Sequence, residues 1–196
     1  MCIRDRLKTI NNGTSGTITL NDVSVALTGS TADVKAALDG TFAAGYTGNV
    51  TLNDANTVGV AAADISTIAG DTAGTVTVSN NINLTGTAAE ITTAVGDVDS
   101  FGGTPTATLS NAHTLAQLKT INNAVGGTLT LNDVSVALVG SAADIKAALA
   151  GTFAAGYTGN VTINDANGTG IAATDISTIA GATAGTVTPR QISRQR

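Results

Sequence analysis

The residues in this chain placed regularly enough to act together are short polar pairs that close runs of alternating Thr and Val, Ile or Leu. They are Asn21-Asp22, Asn53-Asp54, Asn132-Asp133 and Asn164-Asp165, with Asn80-Asn81 and Ser110-Asn111 in the same place in variant segments. If the runs are strands lying side by side, the oxygens stack. Asp22, Asp54, Asp133 and Asp165 are then candidate ligands for Ca²⁺, a hard cation that takes about six to eight oxygens. One carboxylate per layer is a sparse donor set, and the G-G-x-G-x-D-x-U-x pattern of calcium β-rolls is missing. Short Asn and Asp side chains in turns equally bond the nearby backbone. Nucleophilic catalysis needs a base and a group to orient it, and the single His, His113, reads as a solvated loop residue. H-E-x-x-H, C-x-x-C, G-x-x-x-x-G-K-[ST], G-x-S-x-G and G-x-G-x-x-G are absent from the sequence, so no catalytic residue and no cofactor is assigned.

A second regular pattern is Thr-x-Thr: Thr17/Thr19, Thr75/Thr77, Thr106/Thr108, Thr128/Thr130 and Thr186/Thr188, with Asn49/Thr51 and Asn160/Thr162 as variants. With the intervening apolar residues turned inward, these hydroxyls would line one face of a sheet, ~4.8 Å apart between strands. Such an array resembles the ice-binding face of solenoidal antifreeze proteins. Threonine is also simply a good residue for an exposed strand position, and Asn interrupts the row.

The elements that must carry these residues come from a duplication. Leu7–Thr77 returns as Leu118–Thr188 without insertion or deletion, and 57 of the 71 positions are identical. Self-similarity at a fixed period marks a repeat architecture. Inside the 111-residue period, one strand candidate per unit begins at Gly16, Gly48, Gly74, Gly103, Gly127, Gly159 and Gly185. Six helix candidates fall between them, over 30–38, 61–69, 87–95, 114–121, 141–149 and 172–180. Their apolar residues lie three or four apart (Val34/Leu38, Ile65/Ile68, Ile91/Val95), which stacks them on one helical face. Four of the six open with a capping-box pattern at Ser30, Thr87, Thr114 and Ser141, although the Asp three residues after each Ser is shorter than the preferred Glu or Gln. All five aromatic residues, Phe42, Tyr46, Phe101, Phe153 and Tyr157, fall between a helix candidate and the next strand candidate, where they would plug space beneath long connections.

Connections of this length are too long for hairpins and imply parallel strands with right-handed crossovers. One unit cannot bury its own apolar stripe, whereas stacked units can. The predicted fold is α/β: a right-handed solenoid of about six strand-helix units over residues 7–188, similar in outline to a leucine-rich-repeat horseshoe. The alternative is an all-β parallel β-helix.

Composition limits the partners. Between Leu7 and Thr188 there are four Lys, no Arg and 13 acidic residues, a net charge of −9. Nucleic-acid binders need a basic face, so that class is set aside. No run of apolar residues is long enough to insert in a membrane. Arg4, Arg6, Arg190, Arg194 and Arg196 all lie outside the duplicated region. Residues 1–6, MCIRDR, resemble translated sequencing-adapter DNA and are expected to be a scar. Residues 189–196, PRQISRQR, replace what the first copy continues as VSNNINLT and read as a non-repeat, frameshifted tail. No atypical capping unit stands at either end, which points to a piece of a longer array.

Phrases such as LTGTAAEITTAVGDVDSFGG, TLAQLKTINNA and SGTITLNDVSVALTGSTADVKAAL look like the repeats of very long adhesin-like or surface-layer-like secreted proteins of marine bacteria. The resemblance spans about Leu7–Thr188 and marks the chain as a metagenomic fragment of such a protein. It implies an extracellular or cell-surface setting and a non-enzymatic structural or adhesive role. Partners would be neighbouring repeats of the same longer chain and a surface glycan or protein ligand. The alternative is a repeat module that binds calcium through the Asn-Asp rows, or ice through the Thr rows.

Overall fold

The computed structural model describes residues 2–166 and 170–189. Among these the chain alternates helices with short strands. The helices are α1 (Ile3–Gly13), α2 (Thr31–Leu38), α3 (Ala62–Asp71), α4 (Ala88–Asp97), α5 (Leu115–Ala124), α6 (Ala142–Leu149) and α7 (Ala173–Ala182). The strands are β1 (Leu27–Gly29), β2 (Val50–Leu52), β3 (Gly59–Ala61), β4 (Val76–Val78), β5 (Asn83–Gly86), β6 (Ser100–Phe101), β7 (Thr106–Leu109), β8 (Leu129–Thr130), β9 (Leu138–Gly140), β10 (Val161–Ile163) and β11 (Val187–Pro189). The fold is therefore α/β, and helices of eight to eleven residues set aside the all-β alternative.

The helices form where apolar residues recur at helical spacing and a hydroxyl can take the first free amides. Thr87 and Thr114 make full capping boxes with Glu90 and Gln117. Ser30 and Ser141 accept from the amides of Asp33 and Asp144, but neither Asp reaches back to the cap amide. That asymmetry follows from the side chain being one methylene shorter. α3 and α7 begin at Ala61 and Ala172 with no side-chain cap.

At the ends, residues 3–6 of the expected scar form the first turn of α1, where Arg4 bonds Asp5 and the carbonyl of Thr28. Leu7, Lys8 and Ile10 already carry helical spacing, so a helix there needs only a turn of chain in front of it. Pro189 pairs within β11, and the rest of the expected tail lies outside the described residues.

All strand pairing is parallel. Three rows form, β1-β2-β4-β6, β3-β5-β7-β8 and β9-β10-β11. Paired residues lie 22 to 26 positions apart, as Leu27 opposite Val50, Val50 opposite Val76, and Ala107 opposite Leu129. The reading of one strand per unit is corrected here. Several units hold two, because β1, β3, β5 and β9 run directly into the following helices at places where the sequence shows only a short apolar stretch before the cap. The segment at Gly16 contributes just one bridge, Ile18 to Phe42. Each row also changes its place in the unit. The row β3-β5-β7-β8 begins with strands that lead into helices and ends with β8, which follows α5.

Consecutive helices pack on one another from α1 through α7. Between helices and strands lies one core of small aliphatic residues, with Leu27, Leu52, Ile65, Ile68, Ile82, Leu84, Ile91, Leu118, Ile121, Leu129 and Leu138 almost wholly buried. Close stacking needs glycine at one recurrent place. A Cβ on Gly48 would collide with the Val25 carbonyl, and one on Gly74 with the backbone of Gly48; Gly159 and Gly185 repeat the arrangement. Phe101, expected in a connection, sits in β6 instead.

Candidate functional site

The four candidate calcium ligands occupy two different environments. Asp54 Oδ2 accepts from the amide and hydroxyl of Thr31, at 2.9 and 2.6 Å, and so anchors the N-terminus of α2 from the adjoining unit. Asp165 Oδ2 does the same for the amide of Ala142 at α6, at 2.8 Å. Asn111 does it for Ala88 at α4, also at 2.8 Å. Free amides and the helix dipole make this a favourable place for an oxygen acceptor. Asp22 and Asp133 instead turn back on their own loops, each taking the amide and hydroxyl of the serine two residues on. Those bonds hold both carboxyls below the usual carboxylate range.

The expectation that the four stack in one row is thus corrected. Extending the register from Gly29 opposite Leu52 places Asp54 beside Thr31, whereas the bridge from Ile18 to Phe42 places Asp22 beside Tyr46. The shift of strand rows between units separates them. Among the described residues no three His, Cys, Asp or Glu side chains converge as a metal-ligand group.

The threonine pattern also divides. Thr28, Thr51 and Thr77 share one row, Thr85, Thr108 and Thr130 a second, and Thr162 and Thr188 a third. Thr17 and Thr19 flank the single bridge at Ile18. Thr75 gives its amide to Asn49 Oδ1 at 3.0 Å, and Thr128 sits half-buried one residue before β8. Thr106 and Thr108 both donate their hydroxyls to Asn83 Oδ1, at 3.2 Å. The six candidates Thr17, Thr19, Thr75, Thr77, Thr128 and Thr130 therefore do not make one continuous face.

His113 overturns its sequence reading. It is 4% exposed, and its ring lies 5.9 Å from that of Tyr157, itself 2% exposed. Tyr157 Oη donates to the Val136 carbonyl at 2.6 Å and so receives the 3.3 Å bond from His113 Nε2. That network assigns the proton to Nε2 and leaves Nδ1 buried without a partner among the described residues. Burial pushes the His113 imidazole below its ordinary value, with Asp133 pulling the other way. The Tyr157 hydroxyl is pushed up to about 12, mainly by burial. A histidine beside a helix cap carries no sequence signal of burial. The signal that could have found it is Tyr157, an aromatic 44 positions away.

The corresponding place in the first copy is open. Tyr46 gives its hydroxyl to the Val25 carbonyl, as Tyr157 does to Val136. A cavity of about 330 Å³ then lies against Tyr46, bordered by Leu7, Ile10, Leu20, Asp22 and Val25. Ile3, Arg6 and Asn21 complete its wall, which is mostly aliphatic with one carboxylate and one guanidinium.

One further constellation was not read from the sequence. Each of the four lysines between Leu7 and Thr188 reaches the aspartate at the third position of the next helix: Lys8 to Asp33, Lys35 to Asp64, Lys119 to Asp144 and Lys146 to Asp175. All four pairs are partly exposed, so each is screened by water and adds little to stability. Their direction is constant along the chain.

Compared with known proteins, the chain matches no family model, no curated protein and no solved structure.

Proposed function

We propose that the chain is a non-enzymatic structural or adhesive repeat segment of a large extracellular or cell-surface protein, its units wound as a right-handed solenoid. The observation that carries this reading is where the polar side chains go. Asp54, Asn111 and Asp165 hold helix ends of the adjoining unit. Asn11 and Asn122 bond the carbonyls of Ala36 and Ala147 in the next helix, and the lysines pair with the next helix as well. All of these bonds join one unit to the next, and those of Asp54, Asn11 and Lys35 recur 111 residues on at Asp165, Asn122 and Lys146. A chain under selection to transmit load or hold a fixed spacing needs such joints in every layer. The parallel pairing supports the right hand, since crossovers of this kind are right-handed in about 98% of cases. The acidic, arginine-free body between Leu7 and Thr188 suits a surface exposed to salt water.

Small-angle scattering of the chain, with thermal melts in millimolar Ca²⁺ and in chelator, tests the reading. Seven helices stacked ~9 Å apart give a particle about 60 Å long. Its radius of gyration should clearly exceed the ~16 Å of a compact chain this size. A compact particle would sink the solenoid. A large rise in melting temperature with Ca²⁺ would replace the spacer by a calcium-binding module, through linkage to the bound state.

A further inference from the structure

We propose that the face of the chain formed by α1, Ile18 and Tyr46 is a docking surface for one further strand-helix unit, of the kind formed here by residues 78–117, which lays a histidine against Tyr46. The inference rests on the repeat reading above and deepens it by naming what covers this face.

Three observations identify the occupant, all from the second copy, where the same surface is already covered. Seven of the nine residues lining the cavity return unchanged, among them Leu118, Ile121, Leu131, Asp133, Val136 and Tyr157, while Thr114 and Gln117 stand in the places of Ile3 and Arg6. There α4 packs on α5 and Ile121 is 0% exposed; its counterpart Ile10 on α1 is 51% exposed, with Ile3 at 45% beside it. Leu129 is paired on both edges, with Ala107 on one side and Phe153 on the other. Its counterpart Ile18 pairs only with Phe42 among the described residues. Finally, His113 lies against the ring of Tyr157, whereas Tyr46, itself 3% exposed, borders the cavity with no histidine against it among the described residues. An exposed apolar helix face, an open strand edge and a cavity beside a tyrosine therefore coincide. The internal copy shows one object that closes all three: α4, β7 and His113 acting together.

The test extends the chain with its own sequence. Residues 1–6 are replaced by a second copy of Val78–Gln117, joined to Leu7 as Gln117 is joined to Leu118. The extended chain should melt several degrees higher, about 2–4 °C for each kcal/mol gained. The added unit should resist a protease that digests unfolded chain. Ile10→Glu supplies the second arm. In the original chain it should leave the melting temperature nearly unchanged, because Ile10 faces water. In the extended chain it should abolish the gain. An extension that is digested back to Leu7 with no change in melting overturns the proposal. So does an Ile10→Glu effect of equal size in both chains, or self-association of the original chain that Ile10→Glu abolishes, since a second copy would then be the occupant. If the extension fails while the original chain still scatters as an elongated particle, the docking surface falls and the repeat reading stands.

Discussion

At the residue scale, burial decides what the polar groups can do. His113 shares its pocket with Tyr157 and Val136, and the charge of Asp133 acts on it. Its folded pKa is depressed, so the unfolded chain takes up a proton first as pH falls. The neutral imidazole therefore favours the fold at and above pH ~6.5, and that contribution is lost as pH drops below the unfolded value. Stability should fall from pH 7 to 5 with a slope of up to about 1.4 kcal/mol per unit. His113→Phe should flatten that slope in denaturant melts across the range. Asp22 and Asp133, whose carboxyls are lowered by their serines, act in a separate window near pH 4 and below. The two aspartate environments predict a second contrast. Asp54→Ala removes the acceptor at a helix N-terminus and should cost about 1–2 kcal/mol. Asp22→Ala, at an exposed turn, should leave the midpoint of the same urea titration nearly unchanged.

At the element scale, the caps set which helices are marginal. Thr87→Ala breaks a full capping box at α4 and should cost about 1 kcal/mol. Ala172→Ser supplies the missing hydroxyl at α7 and should gain up to ~1 kcal/mol, read as a higher urea midpoint at unchanged slope. The six expected helices were legible because spacing and capping are local properties, and both converge on the same dozen residues around Ser30 or Thr114. The strands leading into helices were not. Three residues such as Leu27–Gly29 carry too little alternation to be seen, and what makes them strands is a partner 23 positions away. The stacking of the four Asp residues failed for a related reason. Sequence spacing places Asp22 and Asp54 alike, but register assigns one to Tyr46 and the other to Thr31. His113 was misplaced because a lone residue has no periodicity to betray its burial.

At the scale of the whole molecule, stability should be distributed unevenly along the stack. Each unit depends on its neighbours, so the interior is held from two sides and the α1 end from one. Ile121→Ala should cost about 2–5 kcal/mol, the usual cost of emptying a buried aliphatic site. Ile10→Ala, the same change at the equivalent position, should cost less than ~1 kcal/mol. Hydrogen exchange should show the matching gradient, with amides of α4 and α5 slower than those of α1.

The migration of the strand rows has a metrical consequence. Neighbouring units are equivalent as packing elements, yet a given surface residue regains the same surroundings only after 111 positions, when a new row has replaced the old. The chain is thus graduated twice, finely by unit and coarsely by duplication. Tyr46 and Tyr157 are two marks of the coarse scale, and the fine marks between them bear other side chains. A molecule reading this surface would meet the same run of side chains only at every fourth step.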